Sequence, residues 1–483
     1  MCYNIVMKRA SGILMHISSI HGDYSIGSFG KEAREFVNFL SESGFTYWQV
    51  LPFCLPDTCN SPYKSFGAFS GNPYFIDLET LYEKGLITSS DLQSAKQNSP
   101  YLCEFERLKS ERFSLLEKAS KNFNDHAKME EFYKKFPKVL EFCTFMALKT
   151  ANGNLPHDEW SIFTPDGNSL ATWKFIEYEF FTEWLELKRY ANERGVKIIG
   201  DMPIYVDYDS SDLYFNKKEF LLDEKGKPTL VAGVPPDYFS KDGQLWGNPL
   251  YDWVAMKNNG YSWWKDRIEF HKQIFDGVRI DHFRAFQDYY AVKPTEKTAR
   301  NGKWKKGARL PFINEIKKLA GDFTVIAEDL GHITKEVRTL VEKSGFPGMK
   351  VLQFGFLGEE NSPHLPHNYE NNSVAYTGTH DNNTLLGFIW SLDENSKNKV
   401  MDYFNIPRDK WNESYDLIIL KMLSSTAGLT IFPIQDVLKY GSDTRLNTPG
   451  VPDNNWAFRI TKSALDGIDK NHYNYYNKLY SRS

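Results

Sequence analysis

The sequence predicts an α/β fold, a closed (β/α)8 TIM barrel with inserted subdomains and no separate C-terminal β domain. Three observations support it. One unit recurs along the chain: an amphipathic helix, a glycine, then a short apolar strand. Eight such strands are countable, the number at which parallel strands with helical crossovers close into a barrel. A polar residue stands at or just past the C-terminal end of nearly every strand, where a barrel gathers its chemistry.

In chain order, SGILMHI (11–17) is the first strand and SESGFTYWQVLP (41–52) brings the second. NERGVKIIGDMP (192–203) and FDGVRIDHF (275–283) carry the third and fourth. KLAGDFTVIAEDLG (318–331), EKSGFPGMKVLQFGF (342–356), NSVAYTGTHD (372–381) and STAGLTIFPIQD (425–436) complete the set. Gly44, Gly195, Gly321, Gly345 and Gly428 fall where a helix C-cap requires a left-handed residue. The polar strand ends are His16, Asp201, Asp281, Glu328, Gln353, Asp381 and Gln435. A doubly wound open sheet is the competing architecture, but it collects ligand groups at one switch point rather than at every strand.

The whole chain, 1–483, reads as one catalytic barrel domain with two insertions. About 140 residues separate the second and third strands, too many for one crossover, so 54–190 is an inserted, mostly helical subdomain with a loop. The segment 207–260 contains VAGVPPDYFSKDGQLWGNPLYDW, rich in Gly, Pro and aromatics, and reads as a lid over the barrel mouth. After the last strand little chain remains for a further sheet.

Composition narrows the function classes. The 41% hydrophobic content suffices for a sizeable core, and a net charge of −4 with mixed signs offers no basic stripe for nucleic acid. Five cysteines without paired metal-ligand clusters indicate a reduced cytoplasmic compartment. The N-terminus has no signal-peptide pattern, and no apolar run reaches the roughly 18 residues that span a bilayer. No phosphate-binding or dinucleotide glycine motif is present, so neither a cofactor nor a metal is expected.

The charges inside FDGVRIDHFRAF (275–286) point to the chemistry. Arg279 and Asp281 share one strand face while Val278 and Ile280 share the other. A guanidinium favours the charged form of its carboxylate neighbour. An ionised, oriented Asp suits nucleophilic attack on an anomeric carbon, although a structural Arg–Asp pair would leave the same trace. Glu328 ends the strand TVIAEDLG, and among facing carboxylates one member keeps its proton and serves as a general acid. Asp381, beside His380, is a third acid at the same position of its own unit, or an N-cap of the helix that follows. Aromatic Tyr63, Tyr238, Phe239 and Trp246 border the mouth and suit stacking against sugars.

SPYKSFGAFSGNPYFIDL, GDMPIYV, VAGVPPDYFS, GQLWGNPLYDW, VRIDHFR, IAEDLG, GMKVLQF, YTGTHDNNT and LNTPGVPDNNW together resemble the 4-α-glucanotransferase (amylomaltase) family, related to the α-amylase group. The resemblance implies a cofactor-free enzyme that transfers α-1,4-glucan segments between malto-oligosaccharides by retaining double displacement. It places the nucleophile at Asp281, the acid/base at Glu328 and the transition-state stabiliser at Asp381. It further implies sugar contacts at Tyr63, Ser61, Asp201, Arg279 and His380, with Gln244, Trp246, Tyr238 and Phe239 on the closing loop. Two positions depart from the family pattern: Cys59-Asn60 stand where Gly-Asp is common, and Ala285 where Gly is common. A hydrolase with the same three acids, a metal-dependent barrel hydrolase using DH and HD pairs, and a non-catalytic glucan binder remain as alternatives.

Overall fold

The computed structural model describes residues 8–56, 59–236, 240–358, 361–410, 415–451 and 453–483. Eight parallel strands close into a barrel: β1 (Ala10–Leu14), β2 (Tyr47–Gln49), β3 (Lys197–Met202), β6 (Gly277–Ile280), β9 (Thr324–Ala327), β10 (Gly348–Val351), β11 (Ser373–Tyr376) and β12 (Leu429–Pro433). They are the eight strands read from the sequence, and the last pairs with the first from Ala10↔Leu429 to Leu14↔Pro433. These strands are short and almost wholly buried, as expected when helices cover one face and packed side chains fill the other.

Helices Lys31–Glu42, Ser262–Ile274, Arg309–Ala320, Lys335–Ser344 and Asp416–Ser424 supply crossovers. Gly44, Gly195, Gly321 and Gly345 all have positive φ, between 57° and 75°. Gly428 departs from that reading. Its helix ends at Ser424 with Ser425 as its cap, and Gly428 is already in the run into β12, its N–H bonded to Asn371 O.

Between β2 and β3 the chain forms helices that include Phe113–Asn122, His126–Lys135 and Pro137–Ala151. They lead into a 27-residue helix, Gly167–Glu193, which runs past position 190 directly into the barrel crossover. Its Trp184 is fully buried and donates to Ile274 O at 2.8 Å, so this helix belongs to insertion and barrel alike.

A second, four-stranded antiparallel sheet rises above the mouth in the order β5-β4-β7-β8. Only β4 (Val231–Val234) and β5 (Gln244–Pro249) come from the segment between β3 and β6; β7 (Asp288–Val292) and β8 (Lys303–Lys306) follow β6. Past β12 the described residues contain helices and turns but no strand. Arg482, fully buried near the C-terminus, donates to the carbonyls of Leu423, Ala10, Gly428, Ser425 and Ala427, fastening the seam where β1 meets β12.

Candidate active site

Register brings the first charges together. The β3/β6 pairing sets Asp201 beside Arg279, and the guanidinium then bridges two carboxylates. Its Nη1 donates to both oxygens of Asp201 at 2.8 Å and its Nη2 donates to Asp281 Oδ1 at 2.7 Å. The Asp201 side chain is fully buried, whereas Asp281 keeps 29% of its side chain accessible. Burial alone would lower the Arg279 pKa, but Asp201 and Asp281 hold it well above its ordinary value. Burial raises Asp201 despite the opposing pull of Arg279. The arrangement therefore presents one fixed, partly open carboxylate, Asp281, backed by a cation.

Glu328 sits one peptide away from it. The N–H of His282 donates to Glu328 Oε2 at 2.6 Å and the N–H of Leu330 to Oε1 at 2.8 Å. His282 reaches this geometry in the left-handed region, φ 51°, a conformation that costs a non-glycine residue energy and often marks a functional turn. Burial first, then the charge of Asp281, pushes the Glu328 pKa up to about 7.

Asp381 is treated the opposite way. Burial would raise its pKa, but His380 (Nε2 to Oδ2, 3.3 Å) and the Asn447 amide (2.6 Å to Oδ1) bring it down to about 2. Arg445 Nη2 holds the Asp381 carbonyl at 2.5 Å. The helix that follows is capped by Thr384, whose hydroxyl accepts from Gly387 N, so Asp381 is not its N-cap and neither is Asn382.

Tyr63 joins the two sides of the site. Its hydroxyl donates to Asp201 Oδ2 at 2.8 Å and lies 3.3 Å from His380 Nδ1, and the two rings stack at 4.9 Å. Although burial disfavours the imidazolium, Asp381 raises the His380 pKa overall. A protonated His380 can donate Nδ1–H to Tyr63 and Nε2–H to Asp381 simultaneously.

The remaining expected residues lie nearer the rim. Ser61 Oγ accepts from Tyr63 N at 3.3 Å, a local turn contact. Trp246 faces the His282 ring at 4.9 Å, donates to Gln244 Oε1 at 3.2 Å and stays 36% exposed. Tyr238 and Phe239 lie outside the described residues. His16 turns inward, its Nδ1 accepting from Leu51 N, and burial drives its pKa down to about 3. Among the described residues no three His, Cys, Asp or Glu side chains gather in a metal-binding arrangement.

Three residues of the site escaped prediction from sequence: Arg445, Asn447 and Trp456, whose ring lies 5.9 Å from those of both Tyr63 and His380. They fall in RLNTPGVPDNNW, which has neither strand nor helix period. The unusual density of Asn, Pro and Gly after the last strand was the available signal.

A barrel whose strand ends carry Asp281 ion-paired to a guanidinium, Glu328 held near pKa 7 and Asp381 held near 2 fits a carboxylate-type enzyme acting on glycosidic bonds. The family profile described as 4-alpha-glucanotransferase matches residues 15–464. A 4-alpha-glucanotransferase of Clostridium butyricum is 42% identical over 467 residues, 92% of this chain and 95% of its own. That of Thermus thermophilus is 40% identical over 485 residues, covering 95% and 96%. The amylomaltase from Streptococcus agalactiae, solved in complex with acarbose, superposes with a TM-score of 0.94 at 36% identity, over 99% of this chain and 100% of that one. The chain belongs to the 4-alpha-glucanotransferase family. It is a hexosyltransferase of the retaining type, built on the barrel that its sequence predicts.

Proposed function

We propose that Asp281 is the nucleophile, Glu328 the acid/base and Asp381 the transition-state stabiliser of α-1,4-glucan transfer between malto-oligosaccharides. The observation that carries this division is the unequal environment of the three acids: Glu328 is held near pKa 7 and Asp381 near 2, while Arg279 anchors Asp281. In the first step Glu328 protonates the glycosidic oxygen as Asp281 bonds to the anomeric carbon, and the leaving chain departs with that proton. In the second, Glu328 takes the proton of an acceptor hydroxyl, whose oxygen displaces Asp281. Retention follows from the two inversions, and it calls for carboxyl groups about 5–5.5 Å apart.

Tyr63, Asp201, Arg279 and His380 hold the glucosyl unit nearest the reaction, with Ser61 shaping the Tyr63 turn. Trp246, Gln244, Tyr238 and Phe239 close over the glucan and exclude water, which favours transfer over hydrolysis. The same reading treats 1–483 as one catalytic unit with insertions at 54–190 and 207–260, working in the cytoplasm. Cys103 and Cys143, buried thiols outside any disulfide, accord with a reducing compartment.

Maltotriose is the test. Transfer yields glucose plus longer chains with almost no new reducing ends; a matching rise in reducing ends would convert the reading to hydrolysis. Trapping with a slowly released glycosyl fluoride should add the glycosyl mass to the peptide bearing Asp281, and labelling elsewhere would refute its role.

A further inference from the structure

Trp304 is a large ring left 39% exposed at the centre of β8, the outer strand of the lid sheet. It is nevertheless held in place. The Arg284 guanidinium lies 4.0 Å from the ring centroid, and Tyr290 meets it edge-on at 5.2 Å. β8 packs so closely on Tyr290 that a Cβ at Gly302 would sit 2.2 Å from that ring. Arg284 itself is buried, donates to Asp288 Oδ1 at 2.5 Å and also donates to His332 O. Arg284 is three residues beyond Asp281, and His332 four beyond Glu328. Trp304 therefore stands on the seam between the two reacting segments.

The side of the cleft follows from strand order. Around the barrel β6 and β9 are neighbours, so the Arg284–His332 contact lies on their side, whereas Tyr63 and His380, which follow β2 and β11, contact Asp201 and Asp381. In a retaining transferase the nucleophile takes the donor glucosyl unit, while the acid/base faces the glycosidic oxygen and hence the chain leaving or arriving. A ring braced on one face by a guanidinium and at its edge by a tyrosine offers its other face to the C–H surface of a sugar without a cost of ordering.

We infer that Trp304 is a stacking platform for the acceptor α-glucan, several sugar units from the reacting bond on the Glu328 side. This rests on the glucan-transfer reading above and adds a subsite to it. The competing account is structural: the ring only packs the lid sheet, and the lysines around it protect an edge strand.

The experiment uses the full chain with α-maltosyl fluoride as donor and either glucose or maltotetraose as acceptor. Trp304→Ala is expected to raise the KM for maltotetraose relative to that for glucose by about two- to tenfold, the range of one aromatic contact. Trp304→Phe should return the ratio most of the way, because the face is kept. A ratio unchanged in Trp304→Ala, whether both constants hold or both move together, overturns the platform while the wild-type chain still transfers. Failure of the wild type to transfer to either acceptor would overturn the glucan reading and the platform together.

Discussion

At pH 7 about half of the Glu328 carboxyls carry a proton, since the pKa stands at about 7. With the ordinary value of 4.5 roughly one in 300 would do so. The difference decides whether the chain has a general acid under neutral conditions. Initial rates of glucose release from maltotriose, measured well below KM from pH 3.5 to pH 9, should show kcat/KM reach half its plateau near pH 7. Above that point the rate should fall about tenfold per pH unit. With α-maltosyl fluoride, whose leaving group needs no proton, the alkaline limb of the glycosylation step should vanish, and in Glu328→Gln the loss should be smallest with that donor. An inflection on maltotriose near pH 4.5, or an alkaline limb equally steep with the fluoride, would refute the assignment of the acid.

Further outcomes follow from other contacts. Arg279→Ala strands the fully buried Asp201 without its cation, so unfolding in urea should reveal a loss of about 3–5 kcal/mol, along with collapse of activity. Asn447→Ala removes one of the donors that keep Asp381 ionised and oriented, and kcat/KM on maltotriose should drop about five- to 150-fold, in line with about 1–3 kcal/mol for one such bond. Arg482→Ala, remote from the cleft, should lower stability by about 1–3 kcal/mol by orphaning the carbonyls it joins, with kcat unaltered. Burial raises Asp436 from 3.8 to about 7, against donors Thr377 and Leu385. Its contribution to stability is thus complete below about pH 3.8 and lost as pH rises through about 7. Melting temperatures at pH 5 and pH 8 should differ less in Asp436→Asn than in the wild type.

The eight barrel strands and the strand-end placement of Asp281, Glu328 and Asp381 were legible along the chain, because both rest on local signals. Apolar runs of four to six residues, helix-ending glycines and the two-residue alternation of a strand are written within a dozen neighbouring positions. Even so, local signals misread Gly428, and at Asp381 they could not separate a helix cap from a site residue. Thr384 provides the cap, and Asp381 answers instead to Asn447, 66 positions away.

The surroundings of each acid, by contrast, came from the folded chain. The pKa near 7 of Glu328 and near 2 of Asp381 depend on what lies beside a buried group: Asp281 from another strand end for Glu328, and for Asp381 the adjacent His380 together with Asn447 from a distant loop. Tyr63 reaches His380 across 317 positions of chain, and β7 and β8 complete a second sheet whose first two strands precede Asp281. Such pairings follow from closure of the barrel, which sets distances between strand ends that no periodicity within one strand encodes.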